Sequence, residues 1–322
     1  MLNARTALDI KAPLLGAYVR SDDLLALRLA ARELKLVPSQ PSKAQLGGQV
    51  RTRYRGRGME FEEVRHYQAG DDIRAIDWRV TARTQVTHTK LFTEERERPV
   101  IVAIDQRASM FFGSSHCFKS VIAAHCGALL GWAALANNDR IGGLVFSDEQ
   151  ELDIRPKRNR KSLLALLNAM VSRNHALSSP LVERSTTLSQ RLIDMRRIVK
   201  PGSTLFLISD FHDFDERCEE QLYHIARHSD INLLSVSDPL ELQLPSDLLL
   251  SITNGQKKRQ LDTRDKQLRQ HYQEHAQAMQ TRLQQTAAKL RMPLLQITTA
   301  RAPLEQLQSI YGRIKSRSGG AS

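Results

Sequence analysis

The sequence predicts an α/β fold with a doubly wound, mostly parallel sheet, preceded by a small β-rich module and an N-terminal helix. Over residues 99–322, strands rich in Val, Ile and Leu alternate with helices, which is typical of a parallel sheet covered on both faces. Residues 49–98 carry short segments of alternating polarity and no long helical pattern. We therefore divide the chain into residues 1–48 (helix and linker), 49–98 (β-rich module) and 99–322 (α/β domain).

The first predicted element is a helix over residues 21–36. Ser21 is expected to cap it, and Asp22 and Asp23 suit the positive end of the helix dipole. The residues that this helix is expected to bury fall on one stripe: Leu24, Leu27, Ala31 and Leu34. A linker rich in Pro, Ser and Gly follows it and ends near Gly48.

The β-rich module is predicted to contain strands such as QVTHTKLF (85–92), with a turn at Gly70 and Asp71. Trp78 is expected to anchor its core, because a large aromatic side chain buries much apolar area. Arginines and acids alternate along the module, which predicts ion pairs that hold it together. The expected cations are Arg65, Arg74, Arg79 and Arg83, and the expected acids are Asp71, Asp72, Asp77 and Glu94.

The α/β domain is predicted from apolar strands and helices of ordinary length. The strands are expected at 100–105, 203–210, 231–238 and 292–299, with hairpins at 140–156 and 247–262. The helices are expected at 119–138, 160–173, 186–199, 214–228, 265–290 and 303–314. The helix at 265–290 carries an apolar stripe: Leu268, Tyr272, Ala276, Met279, Leu283, Ala287 and Leu290.

Composition restricts the classes of protein to consider. The 322 residues are 41% hydrophobic and 25% charged, as in a soluble globular protein. Cys117, Cys126 and Cys218 follow no metal-binding or disulfide spacing, which indicates reduced thiols in the cytoplasm. No segment approaches the roughly 18 uncharged apolar residues of a membrane helix, and the N-terminus lacks a signal-peptide pattern. We therefore expect a cytoplasmic protein without a transmembrane segment.

The net charge of +12 favours an acidic partner, which is a nucleic acid, an anionic lipid surface or an acidic protein. The basic residues cluster at 51–58, 155–161 and 257–259, where solvated surface charge is the alternative interpretation. Low aromatic content (5%) and the lack of a recognised nucleic-acid motif argue against a nucleic acid.

Carboxylates follow three of the predicted strands: Asp105, Asp210 and Asp238. In a doubly wound sheet, function is concentrated at the carboxyl ends of the strands, near the point where the strand order reverses. Carboxylates that converge there, with hydroxyl groups beside them, suit a hard cation such as Mg²⁺. Each Asp alone would more readily be explained as the cap of the following helix.

The stretch "VIVAIDQRASM" (100–110) resembles the first loop of the metal-ion-dependent adhesion site in von Willebrand factor A domains, which reads Asp-x-Ser-x-Ser after a buried strand. The resemblance implies a fold like that of these domains and a Mg²⁺ ion that binds a partner's carboxylate. The matching residues would be Asp105 and Ser109 in this loop, with Thr186 and Asp210 in later loops.

Arg107 departs from that pattern, because a guanidinium is always charged and cannot coordinate a cation. Two arrangements remain open. Arg107 points away, and a weak Mg²⁺ site survives at Asp105, Ser109, Thr186 and Asp210. Alternatively its guanidinium fills the crevice, bridges Asp105 to Asp210 and binds a partner carboxylate without metal. We favour the second arrangement, which makes these five residues a degenerate adhesion site.

The stretch that precedes the α/β domain is more specific. It resembles the signature of the family called "domain of unknown function 58", through the following residues: Glu60, Phe61, Arg65, Tyr67, Gly70, Asp71, Asp72, Arg74, Ile76, Asp77, Trp78, Ala82, Arg83, Glu94, Glu95 and Arg96. The resemblance implies a non-enzymatic accessory protein that acts with a MoxR-type AAA+ ATPase and other von Willebrand factor A proteins. Its role would be the assembly, activation or metal loading of client proteins.

Two other functions compete with this interpretation. The positive charge suggests a basic nucleic-acid-binding protein, against the arguments given above. The stretch "SDFHDFDERC" (209–218) offers Asp210, His212, Asp213 and Asp215 to a metal-dependent hydrolase, with His116 and His125 elsewhere. No HExxH, GxSxG or P-loop motif accompanies them, so we expect no enzyme.

Overall fold

The structure is a computed structural model, and it describes residues 9–10, 12–36, 59–68, 71–94, 98–177, 186–253 and 258–312. The chain divides into two compact units, one of residues 1–42 with 98–322 and the other of residues 43–97. We refer to them as the main unit and the small unit. The strands are β1 (Met59–His66), β2 (His88–Glu94), β3 (Pro99–Asp105), β4 (Arg140–Phe146), β5 (Glu151–Lys157), β6 (Thr204–Ser209), β7 (Asp230–Ser237), β8 (Leu249–Thr253), β9 (Lys258–Asp262) and β10 (Leu294–Thr298). The α-helices are α1 (Ser21–Ala26), α2 (Trp78–Thr84), α3 (Lys119–Ala136), α4 (Arg160–Ala176), α5 (Leu188–Ile198), α6 (Glu216–Ala226), α7 (Pro239–Leu242), α8 (Lys266–Lys289) and α9 (Pro303–Tyr311).

The main unit is built on a six-stranded sheet in the order β10-β7-β6-β3-β4-β5. All neighbouring strands are parallel except β4 and β5, which form the predicted hairpin. The strand order reverses between β3 and β6, because β3 pairs with both β4 and β6. The carboxyl ends of β3 and β6 therefore lie side by side at the switch point.

Two apolar cores lie on opposite faces of this sheet, since side chains alternate along β3. Val100, Val102 and Ile104 face the core that α3, α4, α9 and the N-terminal segment share. Ile101 and Ala103 face the core formed with α5, α6 and the end of α8. The predicted doubly wound, mostly parallel α/β class is confirmed.

Among the described residues, α3 is the one helix long and apolar enough to cross a membrane, and 89% of it is buried inside the fold. It packs against the sheet and is the central helix of the first core. The apolar run that forms it is therefore explained by burial in the protein.

The N-terminal segment differs from its prediction as one helix over 21–36. α1 ends at Ala26, a 3₁₀ turn follows at Ala30–Glu33, and Ser21 is the first helical residue rather than a cap. The cause is visible at Leu24, whose carbonyl accepts a hydrogen bond from Trp132 Nε1 (3.0 Å). The amide of Arg28 bonds Leu25 instead, so the α-helical ladder stops. The predicted stripe is nevertheless buried in the main core.

The small unit has β1 and β2 as an antiparallel pair, a 3₁₀ turn at Ile73–Ala75, and α2. The predicted pair of Arg65 with Asp71 is present at 2.8 Å. Asp72 and Asp77 act mainly as caps, since each accepts backbone N–H groups of the helical turn that follows it.

The prediction of Trp78 as a core anchor is wrong, because its side chain is 67% exposed. Asp77 caps α2 and makes Trp78 its first residue, where the ring lies on the solvent side of the unit. Among the described side chains, Arg74 and Arg83 form no ion pair. The predicted turn residue Gly70 and the side chain of Glu94 lie outside the described residues.

Candidate functional site

The candidate site lies where β3 and β6 end, at the carboxyl edge of the sheet. Asp105 is the last residue of β3 and is fully buried. Its Oδ1 accepts the backbone N–H of Arg107 (2.9 Å), and its Oδ2 accepts the hydroxyl of Ser209 at the end of β6 (2.7 Å). The two adjacent strands are thus joined at their tips through one carboxylate.

Arg107 fills the crevice beside Asp105 and is only 2% exposed. Nε lies 3.1 Å from both Asp105 oxygens, and Nη2 lies 2.8 Å from Asp105 Oδ2 and 3.0 Å from Asp213 Oδ1. Nη1 donates to Asp213 Oδ2 (2.8 Å) and to the carbonyl of Thr186 (3.2 Å). The five N–H groups of a guanidinium are all used in this way.

The sequence predicted that Arg107 bridges Asp105 to Asp210. In the structure, the second acid that Arg107 binds is Asp213. Asp210 Oδ2 is taken by Lys119 Nζ at 2.8 Å, which leaves Asp213 as the second acid within reach of the guanidinium. Asp213 also accepts the backbone N–H of Leu188 at the start of α5 (2.8 Å). Arg107 therefore fastens the ends of β3 and β6 to the start of α5.

Lys119 is the functional group that sequence reasoning missed. It is the first residue of α3, is 1% exposed, and pairs with Asp210 (2.8 Å) and with Glu241 of α7 (2.5 Å). A single Lys at the start of an otherwise apolar helix was the available signal, because a buried ammonium needs carboxylates around it. The edge thus contains two internal cations, Arg107 and Lys119.

His212 is the most exposed member of this network, at 52% of its side chain. Its Nδ1 lies 3.2 Å from Asp210 Oδ1 and 3.5 Å from Asp213 Oδ1. We refer to Asp105, Arg107, Lys119, Asp210, His212, Asp213 and Glu241 as the edge network.

The two predicted hydroxyl ligands lie near the edge network, but neither forms a hydrogen bond to Asp105. Thr186 Oγ1 bonds the carbonyl of Asp148 (2.5 Å), and Arg191 approaches the same hydroxyl at 3.3 Å. Ser109 Oγ is buried and has no hydrogen-bond partner in the described structure. The structure therefore brings Asp105, Arg107 and Asp210 together and engages the Thr186 hydroxyl with Asp148 instead.

The other candidate acids have structural partners. Asp238, at the end of β7, accepts hydrogen bonds from the Ser114 amide and hydroxyl, from Thr299 Oγ1 (2.7 Å) and from the first turn of α7. Asp215 caps α6.

The candidate His125 is likewise structural. It is buried in α3, where its Nδ1 bonds the carbonyl of Val121 (2.9 Å) and burial lowers its pKa.

The family described as "Protein of unknown function DUF58" matches residues 63–282, which include most of the small unit, all of the edge network and most of the sheet. The chain belongs to the DUF58 family. Uncharacterized protein Rv1480 of Mycobacterium tuberculosis is 26% identical over 297 residues, covering 92% of this chain and 91% of that protein. Uncharacterized protein Mb1516 of Mycobacterium bovis gives the same values.

Two solved structures similar to this DUF58 chain have low similarity scores. BatB from Bacteroides thetaiotaomicron is 14% identical, with a TM-score of 0.35 over 60% of this chain and 98% of that one. A von Willebrand factor type A structure from Catenulispora acidiphila is 14% identical, with a TM-score of 0.29 over 47% of this chain and 35% of that one. The predicted family is confirmed by the DUF58 match.

The side chains of the DUF58 edge do not fit a divalent cation. The guanidinium of Arg107 lies against both Asp105 and Asp213, and a cation placed there would be repelled within a crevice of low dielectric. Among the described residues, no three His, Cys, Asp or Glu side chains are arranged to hold a metal ion. The chemistry of the site is that of ion pairs.

The ionisation of the edge network follows from burial and pairing. Burial raises the pKa of Asp105, and the Arg107 guanidinium opposes that shift. Burial also acts on Asp210 and Asp213, but His212 and Lys119 lower the pKa of Asp210, and Arg107 lowers that of Asp213. The hydrogen bond to Asp210 raises the pKa of His212 above its usual value.

Proposed function

We propose that this DUF58 protein is a non-enzymatic, protein-binding accessory of a MoxR-type AAA+ ATPase. Together with that ATPase and other von Willebrand factor A proteins, it assembles, activates or loads metal into client proteins in the cytoplasm. Family membership and the doubly wound α/β fold support a protein-interaction domain in general. The identity of the ATPase, the clients and the cellular location are proposed in addition.

The observation that carries the proposal is the closed set of ion pairs at the carboxyl edge. Arg107 occupies the crevice with a fixed positive charge, and its partners Asp105 and Asp213 are both engaged. These contacts support a preformed, ion-paired surface for a partner rather than an open coordination site. Such a surface binds by shape and charge.

Arg107 itself is not the group that a partner contacts. Its five donors are used inside the chain, so a partner carboxylate would have to displace Asp105 or Asp213. The members of the edge network that keep exposed surface are His212, Asp213 and Glu241. We therefore assign Arg107, Asp105 and Asp210 the positioning of this surface, and His212, Asp213 and Glu241 the contact with the partner.

The same contacts support the proposed absence of catalysis. Acid–base or nucleophilic catalysis needs a group free to exchange a proton or attack a substrate. At this edge each carboxylate is already bound by a guanidinium, an ammonium or an imidazole. The thiols Cys117 and Cys218 are buried, and burial raises the pKa of each to about 12.

Binding to the ATPase tests the proposal. A purified MoxR-type ATPase from the same organism is immobilised, and binding of the intact protein is measured with ATP and with ADP. We expect nucleotide-dependent binding that His212→Arg weakens at least tenfold. Asp105→Ala and Arg107→Ala are measured in parallel, with folding checked by circular dichroism.

The matched control is Lys200→Ala, an exposed residue between α5 and β6, at the opposite edge of the sheet. It should bind the ATPase as the wild type does. The proposal is contradicted when the ATPase binds in neither nucleotide state, or when His212→Arg and Lys200→Ala bind equally well.

A further inference from the structure

The amino edge of the six-stranded sheet lies opposite the edge network and is formed by five connections of the main unit. In each of them the chain passes between a helix and a strand at the end where the parallel strands begin. The antiparallel β5 reaches this edge with its last residue, because Lys157 pairs with Ile141 near the start of β4. These connections, with their flanking residues, are called the amino-edge turns: 137–140, 157–161, 199–203, 227–230 and 289–293.

The amino-edge turns are strongly basic. Their acids are Asp139 and Asp230. Against these two acids stand nine exposed cations: Arg140, Lys157, Arg158, Arg160, Lys161, Lys200, Arg227, Lys289 and Arg291. One of them is held in place by an aromatic ring, since the Arg160 guanidinium lies 5.8 Å from the centre of the Trp132 ring.

The described turns at the carboxyl edge carry the opposite charge. Their cations are Arg107 and Arg301. Their acids are more numerous: Asp148, Glu149, Asp210, Asp213, Asp215 and Asp238. In the described part of the main unit, the charge is therefore polarised along the strand direction, with the positive end where the strands begin.

Helix dipoles explain only part of this distribution. The carboxyl ends of α3, α5, α6 and α8 lie at the amino edge, where cations such as Arg227 and Lys289 are favourable. The same effect disfavours the cations at 157–161, because they surround the amino end of α4, whose first turn contains no acid. Lys157 and Lys161 form no ion pair among the described side chains. An anionic partner would supply the countercharge that the fold does not.

The layout of the amino edge favours a broad, flat partner. α4 packs on one face of the sheet and α5, α6 and α8 pack on the other, so the cations extend to both sides of the edge. Neighbouring strands are about 4.8 Å apart, so six strands extend over roughly 24 Å. The cations thus cover an area instead of lining a groove.

The composition of the amino-edge turns argues against two other partners. They contain no Phe, Tyr or Trp, on which the bases of a single-stranded nucleic acid would stack. They also offer no apolar anchor for a protein interface, because Val199 and Met292 are buried and Leu290 packs against the second core. What remains is attraction by charge over a wide surface.

We propose that the amino edge binds the surface of an anionic lipid bilayer. Phosphate headgroups would lie against the lysines and arginines of the amino-edge turns, because a negatively charged membrane surface attracts clustered cations without a shaped pocket. The acidic carboxyl edge would then face away from the bilayer. This inference goes beyond the proposed function and does not depend on the ATPase.

Sedimentation with sucrose-loaded vesicles tests the proposal on the intact protein. The probe is a vesicle of phosphatidylcholine with about 30% phosphatidylglycerol, and the reference is a vesicle of phosphatidylcholine alone. We expect at least tenfold stronger binding to the anionic vesicle at about 50 mM salt. Most of this binding should be lost at about 500 mM salt, because salt screens the attraction.

Two pairs of substitutions locate the binding on the amino edge. Lys157→Glu/Lys161→Glu changes the connection before α4, and Lys200→Glu/Arg227→Glu changes the connections before β6 and β7. Each pair should weaken binding to the anionic vesicle at least tenfold. All four side chains are exposed, and circular dichroism checks that the variants fold.

The matched control is Lys258→Glu/Arg259→Glu, which makes the same change of charge on exposed residues of β9. β9 precedes the first turn of α8, at the opposite end of that helix from Lys289. The control should bind the anionic vesicle nearly as the wild type does.

Three outcomes overturn the proposal. The first is equal binding to the two vesicles, or equal losses for the amino-edge pairs and the control. The second is binding of a duplex or single-stranded oligonucleotide that the amino-edge pairs abolish while their vesicle binding persists. The third is self-association in light scattering that these pairs abolish while their vesicle binding persists, which would make the acidic edge of a second copy the occupant.

Discussion

At the scale of the residue, Arg107 determines which charged groups occupy the crevice at the carboxyl edge of the sheet. A planar guanidinium can bind two carboxylates at once with paired hydrogen bonds, and here it binds Asp105 and Asp213. The charge that a divalent ion would supply is thus part of the chain. A lysine would supply the charge but not this paired geometry.

Removing Arg107 should leave Asp105 buried without its countercharge. Breaking a buried pair of this kind costs about 3–5 kcal/mol, so Arg107→Met is expected to lower the free energy of unfolding by about that amount. Adding Asp105→Asn to it should recover part of the loss, since the fully buried partner of Arg107 then carries no charge. Urea denaturation measures all three proteins.

The control for this prediction is Arg301→Ala, which removes an exposed i,i+4 pair with Glu305. Its loss should stay below about 1 kcal/mol. Equal losses for Arg107→Met and Arg301→Ala would show that the guanidinium of Arg107 is not part of a buried pair.

His212 should give the stability a dependence on pH. The hydrogen bond to Asp210 raises the pKa of His212 in the folded protein. The extra stability is therefore fully present below the unfolded pKa of about 6.5 and is lost as the pH rises through the folded pKa. Between about pH 5.5 and 8.5, the wild type should lose more stability than His212→Gln. Parallel curves for the two proteins would contradict this assignment.

At the scale of the element, the N-terminal segment is fastened to the loop that carries Arg107. Asn174 of α4 is fully buried; its Oδ1 accepts the amide of Val19 (2.7 Å), and its Nδ2 donates to Ser120 Oγ (3.0 Å) and Gln106 Oε1 (3.3 Å). Gly16 extends the contact by pairing with His116 and Phe118 through backbone hydrogen bonds. The Asn174 side chain on α4 thus joins the N-terminal segment, the start of α3 and the loop after β3.

Asn174→Ala should leave these buried polar groups without partners. An unsatisfied buried group costs about 1–3 kcal/mol, so we expect a loss of stability at least that large. Hydrogen exchange of the Val19 amide should accelerate more than that of amides in β3. Asn137→Ala, at the exposed end of α3, is the control and should change neither quantity.

The strands and helices of the main unit could be predicted because their apolar patterns are long and distinct, as in β3 and α3. The N-terminal helix could not be predicted correctly, since the hydrogen bond from Trp132 to Leu24 joins residues 108 positions apart. Trp78 was misplaced for a similar reason, because its exposure depends on the cap that Asp77 forms. The pairing of Asp105 with Arg107 in the crevice could be predicted from their spacing in the sequence. The contributions of Lys119 and Asp213 could not, because they depend on where α3 and α5 lie in the folded chain.

At the scale of the whole molecule, the main unit offers two surfaces of different chemistry. The carboxyl edge presents His212, Asp213 and Glu241 above an internal set of ion pairs. The open groove between β9 and α8 mixes the apolar side chains of Leu261, Leu268 and Tyr272 with polar and acidic ones, including Asp265 and Glu274. Both lie in segments that follow or join the strands, while the sheet supplies the rigid support.

The central claim is that Arg107 replaces a metal ion at the edge of the sheet, and calorimetric titration with Mg²⁺ tests it most directly. The wild type, Arg107→Ser and Asp105→Ala are titrated after removal of bound metals. We predict no saturable binding that depends on Asp105 in the wild type, because the guanidinium holds the crevice, and a gain of binding in Arg107→Ser, where the cation is removed and a hydroxyl is added. Saturable Mg²⁺ binding to the wild type that Asp105→Ala abolishes would contradict the account.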